Sequence, residues 1–380
     1  MGILRSRKLW IGLVVLVVGI ELVWVIGANW ALSSEWVTAK INNKPEKMQV
    51  EWDSARTLIP GIINLEGLTI RGQTRKQQWY VELAGGRVHM SLLALAAKTF
   101  KTYSFDGSGL DFRLRKRQLP GDPPLKAADF APEIPGLAVD EPPFPPKKKK
   151  KRKKNPWKIV LHDIHIDEFE QLWILAMRLA AEGSIDADMS IELGGGALSM
   201  KRVRMNLTDA EFIAMGKPLM QEMQLGIDAR MDPFLPKEAK GFEISKSLSG
   251  SVSMSGKARG AGLINSLLAN IEAVEVDSPG GQVDSVIQIE QGVLTPGTEM
   301  SFISEGGWVD MMDWRATGLL EIQTKVEQAE DGVSTKVALT LTDVALTDRE
   351  GTEPLLAGAD LELKADAGQL DISGGVQELA

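Results

Sequence analysis

The chain has no cysteine, three histidines and two tyrosines among 380 residues. Without cysteine there are no disulfides, no thiolate zinc sites and no thiol nucleophile. So few histidines leave little material for acid–base chemistry near neutral pH. P-loop, GxSxG and HExxH patterns are also missing, and Gly194–Gly196 and Gly280–Gly281 are better read as turns than as phosphate cradles. No catalytic residue, cofactor or metal is expected, and the chain is not read as an enzyme. With 44% hydrophobic and 25% charged residues the composition is that of a folded chain. Net charge is −8, and the run at 147–154 supplies eight positive charges, so the remainder carries −16. An acidic body disfavours a nucleic-acid-binding surface, and no nucleic acid is expected as a partner.

One long apolar run is present. Residues 1–8 carry Arg5, Arg7 and Lys8, and Leu9–Leu32 then reads LWIGLVVLVVGIELVWVIGANWAL. About 20 apolar residues are what a helix needs to cross a bilayer, and Trp10, Trp30 and Trp36 stand where aromatic rings favour the interface. A cleaved signal peptide is the rival reading, with Ala31-Leu32-Ser33 as a weak cleavage site. Signal apolar regions run only about 7–15 residues, so an uncleaved anchor is favoured. The basic flank keeps the amino terminus cytoplasmic and puts the bulk outside, which in a two-membrane bacterium is the periplasm. Glu21 lies mid-span, at a cost on the order of 2.5–3.5 kcal/mol on insertion scales. It is either a protonated carboxyl tolerated by an apolar helix or a contact with a partner membrane helix.

A short polar helix is expected over Ser34–Val50, and alternation of apolar with polar residues then takes over, the mark of strands with one buried and one wet face. Leu65–Gly72, Gln78–Leu83, Arg87–Leu92, Thr102–Gly107 and Leu110–Lys116 read as separate short strands, with a brief helix at Leu92–Lys98. The pattern resumes at Lys158–Asp167 and continues to Gln369–Ser373, giving about fifteen strands joined by Gly- or Asp-containing turns. One further helix is expected near Leu263–Val274. No βαβ rhythm appears, so a parallel doubly wound sheet is not expected. The organisation is thus 1–8 cytoplasmic, 9–32 span, 33–118 first β segment, 119–157 loop and 158–380 second β segment.

Residues 119–157 hold ten prolines and the run Lys147, Lys148, Lys149, Lys150, Lys151, Arg152, Lys153 and Lys154. Such a stretch donates few ladder bonds and buries little, so a solvated, disordered loop is expected. The basic run has three readings: a loop held extended by self-repulsion, an attraction to anionic lipid headgroups, or a nucleic-acid signal, which the acidic body disfavours.

Candidate inward residues are Val203, Met205, Leu207, Val283, Val286, Ile289, Val337, Leu339 and Leu341. Two sheets could pair such faces as a dry sandwich, or one long sheet could curl and leave its apolar face as a trough. Fifteen strands at about 4.8 Å each would run roughly 70 Å, and strands of about eight residues would be roughly 26 Å long. His162, Asp163, His165 and Asp167 form the most metal-like cluster; strict alternation puts His162 on the opposite face from the other three. An ordinary polar strand face is the preferred reading.

The single span, Leu58-Ile-Pro-Gly61, Leu65-Glu-Gly-Leu-Thr-Ile-Arg-Gly-Gln73, the helix at Leu92-Leu-Ala-Leu95 and Phe105-Asp-Gly-Ser-Gly-Leu-Asp-Phe-Arg-Leu114 together resemble AsmA-like and TamB-like proteins. The firmer likeness covers residues 1–117. It implies an inner-membrane-anchored, mainly β periplasmic protein: a transmembrane helix, then a long curled antiparallel-rich β-groove with few short helices. That architecture is related to chorein-type bridge-like lipid-transfer proteins. The implied function is to bind or transfer phospholipid and support outer-membrane biogenesis, with membrane lipids and an envelope or outer-membrane assembly protein as partners. The alternative is a non-transporting scaffold for envelope proteins. Bridging family members are often much longer and lack the Pro/Lys insertion, which favours a local role or an assembly with a partner.

Overall fold

The computed structural model of the protein describes residues 7–118, 131–139, 157–192, 196–235, 245–260, 274–311, 314–329, 332–348 and 354–366. A 26-residue helix, α1 (Arg7–Leu32), opens it, followed by α2 (Glu35–Ile41). The expected helix to Val50 stops early, because Asn42, Asn43 and Pro45 are poor helix residues. Beyond them Val50 is drawn into a strand. Its N–H donates to Asn42 Oδ1 at 2.8 Å and its carbonyl accepts from Asn42 Nδ2 at 2.9 Å.

The rest is one large sheet. Its strands are β1 (Met48–Glu51), β2 (Ser54–Arg56), β3 (Ile62–Gln73), β4 (Gln77–Met90), β5 (Thr99–Lys116), β6 (Lys158–Ile174), β7 (Met177–Glu192), β8 (Leu198–Ala214), β9 (Lys217–Phe234), β10 (Leu248–Ala258), β11 (Val274–Asp277), β12 (Gly281–Glu290), β13 (Val293–Leu294), β14 (Glu299–Met311), β15 (Trp314–Ala329), β16 (Gly332–Asp348) and β17 (Pro354–Asp366). A five-residue helix, α3 (Leu92–Ala96), interrupts the run between β4 and β5, as expected. The helix expected near Leu263 lies outside the described residues, except that Val274 begins β11.

Pairing follows chain order. β1 and β2 both edge β3, and later strands pair antiparallel in chain order, except that β10 pairs with β12 and β14 pairs with both β11 and β12. β5 and β6 are the exception: they run parallel, Thr99 opposite Lys158 and Leu114 opposite Ile174. A parallel pair of this kind cannot be joined by a tight hairpin turn. Two-residue turns follow hairpin rules: Met215 and Gly216 lie at φ 51° and 74°, Gln291 and Gly292 at 49° and 80°, the left-handed pairs a type I′ turn requires. Because β1 with β2, β11 with β12 and β13 with β14 are collinear, the sheet is about 60 Å across its strands, somewhat less than the sequence suggests.

Strands are about twice as long as expected, up to 18 residues, roughly 60 Å. The difference has one cause. A line of irregularities crosses the sheet through Gly67, Gly109, Glu168, Asp209, Glu222, Gly306, Asp343 and Gly358, all with φ between 49° and 78°. Registers shift there in most strand pairs from β5 onward. In β8 the buried apolar residues are Met205 and Leu207 before the break and Ala210 and Ala214 after it; in β16 they are Leu339 and Leu341, then Val344. One extra residue flips the alternation, so the apolar side chains stay on one face while the sequence changes phase. What reads as a turn between two short strands is a bulge within one long strand. The row runs obliquely across the sheet, and the sheet is not closed.

Candidate functional site

The apolar face of the sheet is the feature with the greatest extent. Cross-strand rows line it: Val283, Phe302, Ile322 and Leu339 are successive partners on β12, β14, β15 and β16. Leu207, Leu225 and Met254 are partners on β8, β9 and β10. Of the residues expected to face inward, Met205, Leu207, Val283, Leu339 and Leu341 are buried, and Val203 and Val337 are half-buried against the same cluster. Ile289 is half-buried, two steps of alternation along from Ser285. Val286 is the exception. It is 43% exposed, between Ser285 on the inner face and Ile287, and its partners are Ser253 and Glu299. A spacing of three from Val283 cannot keep a strand residue on the same face, so Val286 belongs to the polar side.

Burial along this face is graded. Over β12, β14, β15 and β16 the side chains are sealed: Val283, Phe302, Leu320 and Leu341 are 0% exposed. Over the first strands the corresponding positions are half-buried. Ile70, Val81 and Phe112, partners across β3, β4 and β5, are each intermediate. The buried cluster there has three members, Leu83, Ile164 and Ile166, with Leu68, Phe105 and Leu110 partly covered around it. The apolar lining on β3–β5 is thus less completely covered, while the far part is a packed core. No helix or second sheet among the described residues stacks on the less covered part.

The opposite face is polar and laced with ion pairs. Arg204 pairs with Asp228 at 2.7 Å and Lys336 with Glu327 at 2.7 Å; the latter lysine holds the Glu327 carboxyl below its usual range. Three hollows of about 430, 550 and 420 Å³ lie between strands, with Asn206, Gly226, Ser253, Asp284 and Val286 on their polar-face walls. His165 Nδ1 sits 2.7 Å from Asp186, and Nε2 is 3.1 Å from Asp167. The hydrogen bond to Asp186, with both carboxylates nearby, raises the imidazole pKa. His162 Nδ1 lies 3.3 Å from Asp188. Asp186 and Asp188 share a face of β7, so His162 and His165 share one too, against strict alternation. The cause is Asp163, whose φ of 46° makes a second bulge. Among the described residues no three His, Asp or Glu side chains are arranged to hold a metal; the imidazoles are engaged with carboxylates.

Part of the proline-rich segment is a strap. Residues 131–139 lie on the polar face of β3–β5, and Ile134 is 1% exposed. Arg115 donates from Nε to Gln78 Oε1 at 2.8 Å, from Nη1 to the Pro132 carbonyl at 3.1 Å and from Nη2 to the Leu137 carbonyl at 2.5 Å. Gln78 donates to the Ala138 carbonyl at 2.8 Å, and Arg113 to the Glu133 carbonyl at 3.0 Å. Beneath it, burial and a hydrogen bond to Glu82 push the Tyr80 hydroxyl pKa well up. The solvated-loop expectation does not describe these nine residues. The signal was available in Gln78, Arg113 and Arg115, regularly alternating on facing strands, but only the paired register shows them converging. Lys147–Lys154 lie outside the described residues.

α1 includes one stretch, Leu13–Leu32, long and apolar enough to cross a membrane, with mean hydropathy 2.1. Glu21 is exposed on it, which leaves both of its readings standing. The far end of the helix is fastened to the sheet. Asn29 Nδ2 donates to the Thr57 carbonyl at 2.7 Å, the Thr57 N–H donates to Asn29 Oδ1 at 2.9 Å, and Trp52 Nε1 donates to the Leu32 carbonyl at 3.3 Å. Comparison of the chain with family models, with curated proteins and with solved structures gave no match.

Proposed function

We propose that this protein is a single-pass, membrane-anchored β-groove protein that binds or transfers phospholipid between envelope membranes and supports outer-membrane biogenesis, its amino terminus cytoplasmic and its sheet periplasmic. The observation that carries this reading is the incompletely buried apolar row Ile70–Val81–Phe112 on an unclosed sheet that no described layer covers. Acyl chains need a continuous apolar surface and no directional partner, and burying them gains about 25 cal/mol per Å². The helix fastened beside β2 supports an anchored origin for that surface. The Lys147–Lys154 run fits headgroup attraction in this reading.

A photo-crosslinking residue at Phe112 in the full chain, expressed in its own membrane, tests this. Phospholipid adducts are expected at Phe112 and not at Val286, which faces the polar side. Adducts at neither position, or equal adducts at both, would overturn the reading. A second reading, a non-transporting scaffold for envelope proteins, is favoured by the sealed interior of β12–β16. It expects no lipid adduct at Phe112 and a co-purifying membrane protein lost on Glu21→Leu.

A further inference from the structure

One end of the sheet carries apolar side chains that neither the core nor the groove uses. The β2–β3 turn exposes Leu58 (68%) and Ile59 (54%), and α3 exposes Leu93 (88%) and Leu92 (37%). These two segments are adjacent: the Met90 N–H donates to the Gly61 carbonyl at 2.7 Å, and Leu92 Cγ lies 3.9 Å from where a Cβ on Gly61 would stand. Trp157, 45% exposed, precedes β6 at the same end, where the Lys158 N–H donates to the Lys98 carbonyl at 3.0 Å. Scattered apolar side chains on a surface mean little, but a contiguous group of this kind marks an interaction site.

The position of α1 says what the group meets. Asn29 is bonded to Thr57, the residue before Leu58. Trp24, Val25, Ala28, Asn29, Ala31 and Leu32 are the half-buried stripe of α1, while Leu22, Val23 and Ile26 remain exposed. The apolar stretch ends at Leu32, so the sheet overlaps its last turns. At 1.5 Å per residue, the eight steps from Trp24 to Leu32 span about 12 Å. A bilayer that accommodates Leu13–Leu32 therefore brings its headgroup layer to the level of Leu58. Arg56, Arg87 and Lys98 are exposed just behind that turn, as suits an anionic surface.

We infer that this end of the sheet is a second membrane contact: Leu58, Ile59, Leu92 and Leu93 insert into the leaflet from which α1 emerges, and they seat the near ends of β3–β5, the strands that carry the Ile70–Val81–Phe112 row farther along, at the lipid headgroups. The inference rests on α1 being an anchor and deepens the proposed function by naming where lipid would leave the bilayer.

The absence of cysteine makes single-cysteine nitroxide labelling direct. The full chain is reconstituted in vesicles of phosphatidylethanolamine and phosphatidylglycerol with labels at Leu58→Cys and Leu93→Cys. Leu175→Cys and Met215→Cys are the controls: equally apolar, 43% and 41% exposed, and at the opposite strand ends. At Leu58 and Leu93, collisions with dissolved oxygen should exceed those with a water-soluble nickel chelate several-fold, and at the controls the order should reverse. Nickel access at Leu58 and Leu93 equal to the controls would overturn the inference. So would exclusion of both reagents, which signals a protein contact instead. Leu93→Glu should move a label at Ile59→Cys toward water while α1 keeps the protein in the vesicle, and an unmoved label counts against the inference. The readout is independent of the groove: insertion without Phe112 adducts would leave this contact standing and remove the lipid-transfer reading.

Discussion

At the scale of single residues, the row of irregularities across the sheet depends on backbone conformations that L-residues disfavour. Gly109 at φ 67° would place a Cβ 2.6 Å from the Cβ of Ala84. Gly109→Ala should therefore cost about 1–3 kcal/mol, read as a lower thermal midpoint of the full chain in detergent. Asp343 occupies the same conformation with a side chain, and Asp343→Gly should be neutral or stabilising by up to about 1 kcal/mol in the same measurement. His165 gives a pH dependence. Its folded pKa is raised by Asp186 and Asp167, so its contribution is complete below the free-imidazole pKa of about 6.5. That contribution is lost as pH rises through the folded value. The gap in thermal midpoint between the native chain and His165→Gln should be larger at about pH 5.5 than at about pH 8, and small throughout, because the side chain is 42% exposed. A gap that widens with pH would refute this. Val286 shows the limit of reading faces from hydropathy: it is apolar, it lies near Val283, and parity alone places it on the other side.

At the scale of elements, alternation made the strands visible and bulges hid their length. Gln78–Leu83 and Arg87–Leu92 are parts of the one strand Gln77–Met90 and the chain just after it, and Thr102–Gly107 and Leu110–Lys116 belong to Thr99–Lys116. Gly85 and Gly109 stand where the phase changes, and Gly with a phase change is also the signature of a turn. The helix α3 was legible from Leu92-Leu-Ala-Leu, with Ser91 accepting from the Ala94 N–H at 3.2 Å as its cap. The strap was not legible, because its anchor is a register of facing strands and not a local pattern. Ile134→Ala should destabilise its docking by on the order of 2–4 kcal/mol. Amides across the strap should then exchange with solvent faster, including that of Leu137, whose N–H donates to the Ile134 carbonyl at 3.2 Å. Unchanged exchange there would show that the buried isoleucine does not hold the strap.

At the scale of the whole molecule, a near-sequential antiparallel sheet with a single parallel junction joins two meanders whose contacts are mostly between consecutive strands. Local pairing of this kind favours rapid folding within each meander, while the β5–β6 junction pairs strands much farther apart in sequence and closes later. The sheet remains open, with a less completely covered apolar lining at one end and a sealed core at the other. The apolar face as a whole was legible from alternation. Its gradation was not, because exposure depends on how far the sheet curls over each row. Since successive strands simply follow one another across the sheet, its width is an adjustable quantity. Each hairpin gained or lost would change it by about 10 Å without disturbing the fastening of α1 or the polarity of either face, so selection could set the reach of such a protein by duplicating or deleting hairpins, one increment at a time.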